Sequence, residues 1–164
     1  MNFNPENPLI AQADMSILLE TNNPRYQEAR DEVARFAELV KSPEYIHTYQ
    51  ISSLSLWNAA ASGMGAEEIC AALEEFAKYP IPENVFIEVR DQVARYGTLK
   101  LSKNDSGELH LHSDDVNVIN RILRLKKVQP FLEKQLDKKT ILVNEENRGL
   151  LKQALIKEKL PVED

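Results

Sequence analysis

Apolar positions change their period several times along the chain, and each change marks a predicted element. Apolar residues on both sides of Gln12-Ala13-Asp14 predict a β-hairpin, Leu9–Ala11 returning as Ser16–Leu19 around an Ala13-Asp14 turn. Asn23 then offers a helix cap and Pro24 a first helical residue. Tyr26, Ala29, Val33, Phe36, Ala37 and Val40 follow the i, i+3, i+4, i+7 steps of an amphipathic helix, so one helix is expected over Tyr26–Val40, ended by Ser42-Pro43. Alternation around Ile46, Thr48 and Gln50 predicts a short strand. Ser52-Ser53 caps a helix from Leu54 to Ser62 that stops at Gly63. A second helix opens on Gly65-Ala66-Glu67-Glu68 and runs through Leu73 and Phe76 to the Pro80/Pro82 break. A third, Pro82 to Tyr96, carries Val85, Phe86, Val89 and Val93 and ends at Gly97.

Thr98–Leu101 and Glu108–His112 alternate around a Lys103–Gly107 turn and read as a hairpin. Strand, three helices and hairpin are the order of a winged helix-turn-helix. Pro82–Tyr96 would then be its recognition helix and Lys103–Gly107 its wing. Beyond it, Asp114-Asp115 caps a helix from Val116 to about Leu125, and a short helix is expected around Phe131–Leu136. A strand at Thr140–Val143 and a helix at Arg148–Leu160 complete the chain. The expected class is α+β: an N-terminal hairpin and helix, a winged-helix-like core, then a C-terminal helix and a strand-helix tail. Residues 1–8, with two prolines, read as a flexible lead-in, 9–136 as the main domain, and 137–164 as a linker and the truncated start of a following domain.

Composition narrows the function classes. A 43% apolar share in 164 residues supports a real core, and the net charge of -6 disfavours a free-standing DNA-binding domain and favours a protein partner. The lone Cys70, inside an apolar-periodic run, excludes an internal disulfide framework and reads as a small core residue. No run approaches a membrane span and the N-terminus has no signal-peptide pattern. A cytoplasmic location is the expectation.

Candidate chemistry is sparse. No Gly-x-x-x-x-Gly-Lys-Ser/Thr, Gly-x-Gly-x-x-Gly or Gly-x-Ser-x-Gly occurs, and five dispersed glycines build no phosphate cradle. His110 and His112, at i and i+2, share a strand face where a metal would need Asp114, Asp115 or His47 as a third ligand, so no metal and no catalytic residue is assigned. The face of Pro82–Tyr96 offers Glu83, Glu88, Arg90, Asp91, Gln92 and Arg95, whose carboxylates would repel phosphate. Glu88, Asp91 and Arg95, with His47 and Tyr49 on their strand, are therefore the candidate protein-facing residues. Lys100 and Lys103 at the wing, and Arg121, Arg124, Lys126 and Lys127 at a helix end, are the candidate phosphate contacts. Trp57 is expected in the core with an indole partner, Ser52 as a cap and Gly97 as a helix stop.

Pro8-Leu9-Ile10 with Leu18-Leu19-Glu20, then His47-x-Tyr49, then Leu54-Ser55-Leu56-Trp57-Asn58-Ala59-Ala60 and Tyr96-Gly97, in this order, resemble the N-terminal domain of bacterial XPB-type DNA helicases over roughly residues 8–130. The resemblance implies a parent enzyme with two RecA-like lobes, ATP-driven DNA translocation and a role in DNA repair. It also implies a non-catalytic accessory role for this region. ATP and Mg would be cofactors of lobes outside this chain, which itself takes none. Implied partners are the protein's own helicase lobes and a nuclease or another repair protein, with weak DNA contact and no membrane. In eukaryotes the corresponding region docks onto a TFIIH subunit. A DNA-contacting winged-helix module and a stand-alone winged-helix regulator are the alternatives.

Overall fold

The computed structural model describes residues 3–164. The chain divides into two compact units, Met1–Val93 and Ala94–Asp164, each with its own sheet and apolar core. The class is α+β, with every strand pair within the two sheets antiparallel.

In the first unit β1 (Leu9–Ala11), β2 (Ser16–Glu20), β3 (Glu38–Lys41) and β4 (Ile46–Gln50) form one sheet in the order β1-β2-β4-β3. The β1–β2 loop puts Met15 at φ +71, the left-handed position that closes such a three-residue hairpin loop. The inward face of the sheet buries Leu9, Ile17, Leu19 and Tyr49. Against it lie Val33, Leu56, Ile69, Leu73, Val85 and Val89 of α1 (Tyr26–Val33), α2 (Ser53–Ala61), α3 (Ala66–Phe76) and α4 (Glu83–Arg95), all within one apolar cluster. Gly63, at φ +95, ends α2 in the left-handed conformation that a side chain resists.

In the second unit β5 (Lys100–Lys103), β6 (Leu109–His112), β7 (Leu132–Asp137) and β8 (Thr140–Val143) form a sheet ordered β5-β6-β8-β7. One face buries Leu101, Leu109, Leu111, Ile141 and Val143, in one cluster with Ile119 and Ile122 of α5 (Val116–Arg124) and Leu151 and Leu155 of α6 (Arg148–Lys157). The segment after α6 runs beside β5, with the Leu101 amide donating to the Glu163 carbonyl at 2.9 Å and the Glu163 amide to the Leu99 carbonyl at 2.8 Å.

Several expectations are corrected. The helix expected over Tyr26–Val40 ends at Val33, and Glu38–Lys41 is the edge strand β3. Phe36 and Ala37 continue the apolar period but are buried from a turn, and pairing with β4 takes over beyond them. Phe131–Leu136 is not helical: a 3-10 turn at Gln129–Phe131 leads into β7, which pairs with β8. The boundary expected at 136/137 therefore falls inside a hairpin, and the strand and helix beyond it complete the second sheet and core. The winged-helix arrangement is not what the sheets show. A wing pairs with the strand that precedes its helices, whereas β4 lies between β2 and β3 and the β5–β6 hairpin pairs with β8.

Residues 3–8 make contacts with the rest of the first unit. The Asn7 side chain donates to the carbonyls of Glu75 and Ala77 at 3.1 and 3.0 Å, and Phe3 stacks on Tyr79. Residues 1 and 2 of the expected lead-in lie outside the described residues.

Candidate functional site

Ser52 caps α2 through a reciprocal box. Its Oγ accepts the Ser55 amide at 3.0 Å, and Ser55 Oγ accepts the Ser52 amide at 2.9 Å. That fixes the start of the helix carrying Trp57, which is 4% exposed and donates its indole N–H to the Gln92 carbonyl at 3.0 Å. Gln92, expected on the solvent face of its helix, is itself buried. Its Nε2 donates to Glu88 Oε1 at 2.9 Å, and its Oε1 is the one buried side-chain acceptor without a partner among the described residues. The helical period misplaces Gln92 because it puts polar residues outside; its tie to Glu88 has ordinary i, i+4 helical spacing, but its burial does not follow from that spacing.

The protein-facing candidates do not form one surface. Tyr49 is 5% exposed, and burial pushes its hydroxyl pKa up, so it is a core residue and not a recognition residue. His47 shares its inward face and is half-buried, with Nδ1 3.0 Å from the Tyr26 hydroxyl, a bond between β4 and α1. Asp91 and Arg95 are exposed and Glu88 half-buried. Beside them Arg90 contacts Glu67 at 3.0 Å and holds that carboxyl below the usual range by its hydrogen bond and charge. Asp14, Met15, Gln50, Ile51, Ser52, Leu56, Asn84, Ile87 and Glu88 are among the residues lining a cavity of about 460 Å³ in this unit, with two carboxylates and no cation in its lining. Cys70 is 3% exposed, and burial raises its thiol pKa, so it is a core residue of low reactivity.

The phosphate candidates all lie in the second unit. Lys100 stands 3.9 Å from Glu163, Lys103 is paired with Glu145, and Arg121 donates to the Glu158 carbonyl at 2.9 Å. Arg124, Lys126 and Lys127 are exposed and, among the described residues, form no salt bridge. Gly97, at φ +91, precedes β5, and a Cβ there would stand 3.4 Å from a Glu163 carboxylate oxygen.

Register puts two cross-strand rows on the sheet face opposite the core: Lys100, His112, Thr140 and Asp137, and Ser102, His110, Leu142 and Lys134. His112 bridges Thr140 Oγ1 at 3.0 Å and Asp114 Oδ1 at 3.1 Å, which depresses the Asp114 pKa through hydrogen bonding and charge. The chain of contacts has the outline of a hydroxyl-imidazole-carboxylate relay. However, the Asp114 side chain is 93% exposed, so water solvates the group that would have to orient and stabilise the imidazole. Among the described residues no three His, Cys, Asp or Glu side chains converge as metal ligands, and no helix is long and apolar enough to cross a membrane.

Charge is divided between the units. Residues 1–93 hold six Lys and Arg against fifteen Asp and Glu, a formal −9, and residues 94–164 hold fourteen against eleven, a formal +3. The net charge of -6 conceals this split.

Residues 9–137 match the family described as "Helicase conserved C-terminal domain". The chain is 42% identical over 159 residues, 97% of its length, to the DNA 3'-5' helicase XPB of Mycobacterium tuberculosis, and 41% identical over the same share to that of Kineococcus radiotolerans. It spans 29% and 28% of the length of these relatives. It is also 32% identical over 118 residues, 72% of its length and 15% of the relative's, to the general transcription and DNA repair factor IIH helicase/translocase subunit XPB of Schizosaccharomyces pombe. The family match takes in the first sheet, its four helices, the β5–β6 hairpin and α5, and the chain belongs to that helicase-domain family, with XPB DNA helicases among its relatives.

Proposed function

We propose that this chain is a non-catalytic accessory and protein-interaction region of an XPB-type, ATP-dependent DNA helicase acting in DNA repair. The observation that carries the proposal is the match over 97% of the chain to XPB helicases, in a fold whose sheets are antiparallel throughout. An ATP-binding motor lobe sets a glycine-rich loop between a strand and a helix, in a mostly parallel sheet. Neither the loop nor that sheet is supplied by these residues. ATP and Mg then belong to lobes elsewhere in the parent enzyme, and those lobes are the first partner, with a nuclease or other repair protein as a second. Cytoplasmic location follows from the same reading.

The ordered motifs favour a position on the N-terminal side of the lobes, while the matching family is described by a C-terminal domain. Aligning the chain on the residue numbers of a full-length relative decides between the two. The test of function measures ATP hydrolysis by the 164-residue chain with and without DNA, beside the full-length enzyme and a form lacking this region. No turnover by the chain, with hydrolysis retained in the deleted form, is the expected result. Hydrolysis by the chain alone refutes the proposal.

A second reading, direct DNA contact, is favoured by the formal +3 of the second unit and the exposed Arg124, Lys126 and Lys127. Anisotropy with duplex DNA should then show binding that falls steeply with salt, with a shallower salt slope in a Lys126→Ala/Lys127→Ala variant. Salt-independent binding, or none at about 50 mM salt, excludes it.

A further inference from the structure

Of the ten large apolar side chains exposed among the described residues, four lie on the β3–β4 hairpin: Leu39 at 52%, Val40 at 56%, Tyr45 at 63% and Ile46 at 40%. β3 is an edge strand whose four residues are all exposed. An apolar edge left open is a site for pairing with another chain, unless charges or a bulge blunt it. β3 has both devices, Glu38 and Lys41 at its ends and a register shift between Leu39 and Lys41. Their placement nevertheless makes the edge complementary to itself.

We propose that β3 is the seam of a homodimer, with two copies of the edge antiparallel about a two-fold axis between Leu39 and Val40. The strand reads Glu-Leu-Val-Lys. Laid antiparallel on its own copy about that axis, it sets Glu38 against Lys41 of the second copy, twice by symmetry, and Leu39 against Val40 of the second copy at the centre. Such a seam is isologous, as a two-fold dimer requires. Opposite charges and apolar pairs directly across strands are the favourable combinations.

The bulge makes this register possible. A two-fold axis normal to a sheet preserves the face, so a residue can pair across it only with a residue on its own face. In a regular strand, residues three apart point to opposite faces. Here Glu38 stands opposite Gln50 and Lys41 opposite Thr48, two residues apart on β4, so Glu38 and Lys41 share a face. Without the shift, the two ion pairs could not form. The inference is independent of the helicase reading, since it rests on this hairpin alone.

Sedimentation equilibrium of the 164-residue chain, from about 5 to about 200 µM, tests it over the range where a micromolar pair dissociates. The natural chain should dimerise. Glu38→Lys and Lys41→Glu each put like charges across the seam twice and should weaken association by about tenfold or more, and combining the two reversals should restore it. Circular dichroism melts of every variant separate a lost seam from a lost fold. A natural chain that stays monomeric throughout, single reversals without effect, or a combined variant as weak as the single ones each overturns the proposal. The first of these leaves the edge to a different occupant.

Discussion

The cap of α2 gives a quantitative test of how local chemistry holds the first unit together. Ser52 and Ser55 each satisfy the other's amide, and Ser55 Oγ also donates to the Ser52 carbonyl at 3.0 Å. Ser52→Ala removes the acceptor for one otherwise unpaired N–H of the first turn, a loss of about 1 kcal/mol. Ser55→Ala strips the partner from the amide of the half-buried Ser52, which costs about 1 kcal/mol. Because both changes break one reciprocal motif, the double variant should lose less than the sum, with a coupling of about 0.5 kcal/mol or more. Trp57 is the only tryptophan and sits in the same helix, so its fluorescence during urea unfolding reports on the relevant element. With a slope of about 1–3 kcal/mol per molar urea, a 1 kcal/mol loss moves the midpoint by roughly 0.3–1 M. An unchanged midpoint in Ser52→Ala, or costs that add to within a few tenths of a kcal/mol, refutes the idea that the box acts as a unit.

Three further outcomes are expected. Trp57→Phe keeps much of the buried area but leaves the Gln92 carbonyl without its donor, so it should cost about 1–3 kcal/mol, and Trp57→Ala about 3–5 kcal/mol, in chemical unfolding followed by circular dichroism; a Trp57→Phe variant as stable as the natural chain would show that the indole hydrogen bond contributes nothing. Gly97→Ala forces a side chain into a left-handed backbone close to Glu163 and should lower stability by about 1–2 kcal/mol in thermal melts, whereas an unchanged melting temperature would mean that the backbone relaxes there. His112→Ala should move the Asp114 titration back up towards the ordinary 3.8, read by carbon-detected NMR. A depressed carboxylate stabilises the fold above its unfolded pKa and loses that contribution as pH falls through the folded value, so any acid sensitivity linked to Asp114 should appear below 3.8 and vanish in the variant. A midpoint that does not move would show that His112 is not the cause.

Much of the local structure was legible because the physics that decides it is local. The β1–β2 and β5–β6 hairpins and helices α2, α3, α4 and α5 are marked by turn residues, caps, glycine stops and a clean period. What failed depended on pairing with another strand, which the period of a segment taken alone does not show. Phe36 and Val40 sit at helical spacing, yet one is buried from a turn and the other is exposed on an edge strand, because pairing with β4 outweighs a period that no cap supports. β7 was misread because its ladder is supplied by β8. The winged-helix reading used element order, which fixes neighbours along the chain and not across sheets. Of the candidate residues, exposure was legible for Asp91 and Arg95 on a regular helix, but not for Tyr49 or Gln92, whose polar tips do not reveal which neighbours cover them.

The total charge hides its distribution, just as a helical period hides strand pairing. A net charge of -6 disfavours phosphate contact only if the charge is spread evenly, and here it is not. Screening confines a field to about 8 Å at physiological salt, so a phosphate responds to the cations beside it and not to the total for the chain. The first unit, at −9, would reject a nucleic-acid backbone and attract a basic partner. The second, at +3 with three exposed cations near the end of α5, has no such bar. The acidity of the first unit also bears on its exposed β3 edge: a strand that carries one Glu and one Lys on the same face lets two strongly acidic copies meet at a point where charge is locally balanced. High salt would then act on the pair in two opposed ways, weakening the seam's ion pairs and screening the repulsion between the copies, so the charge reversals, which change only the seam, are the sharper test.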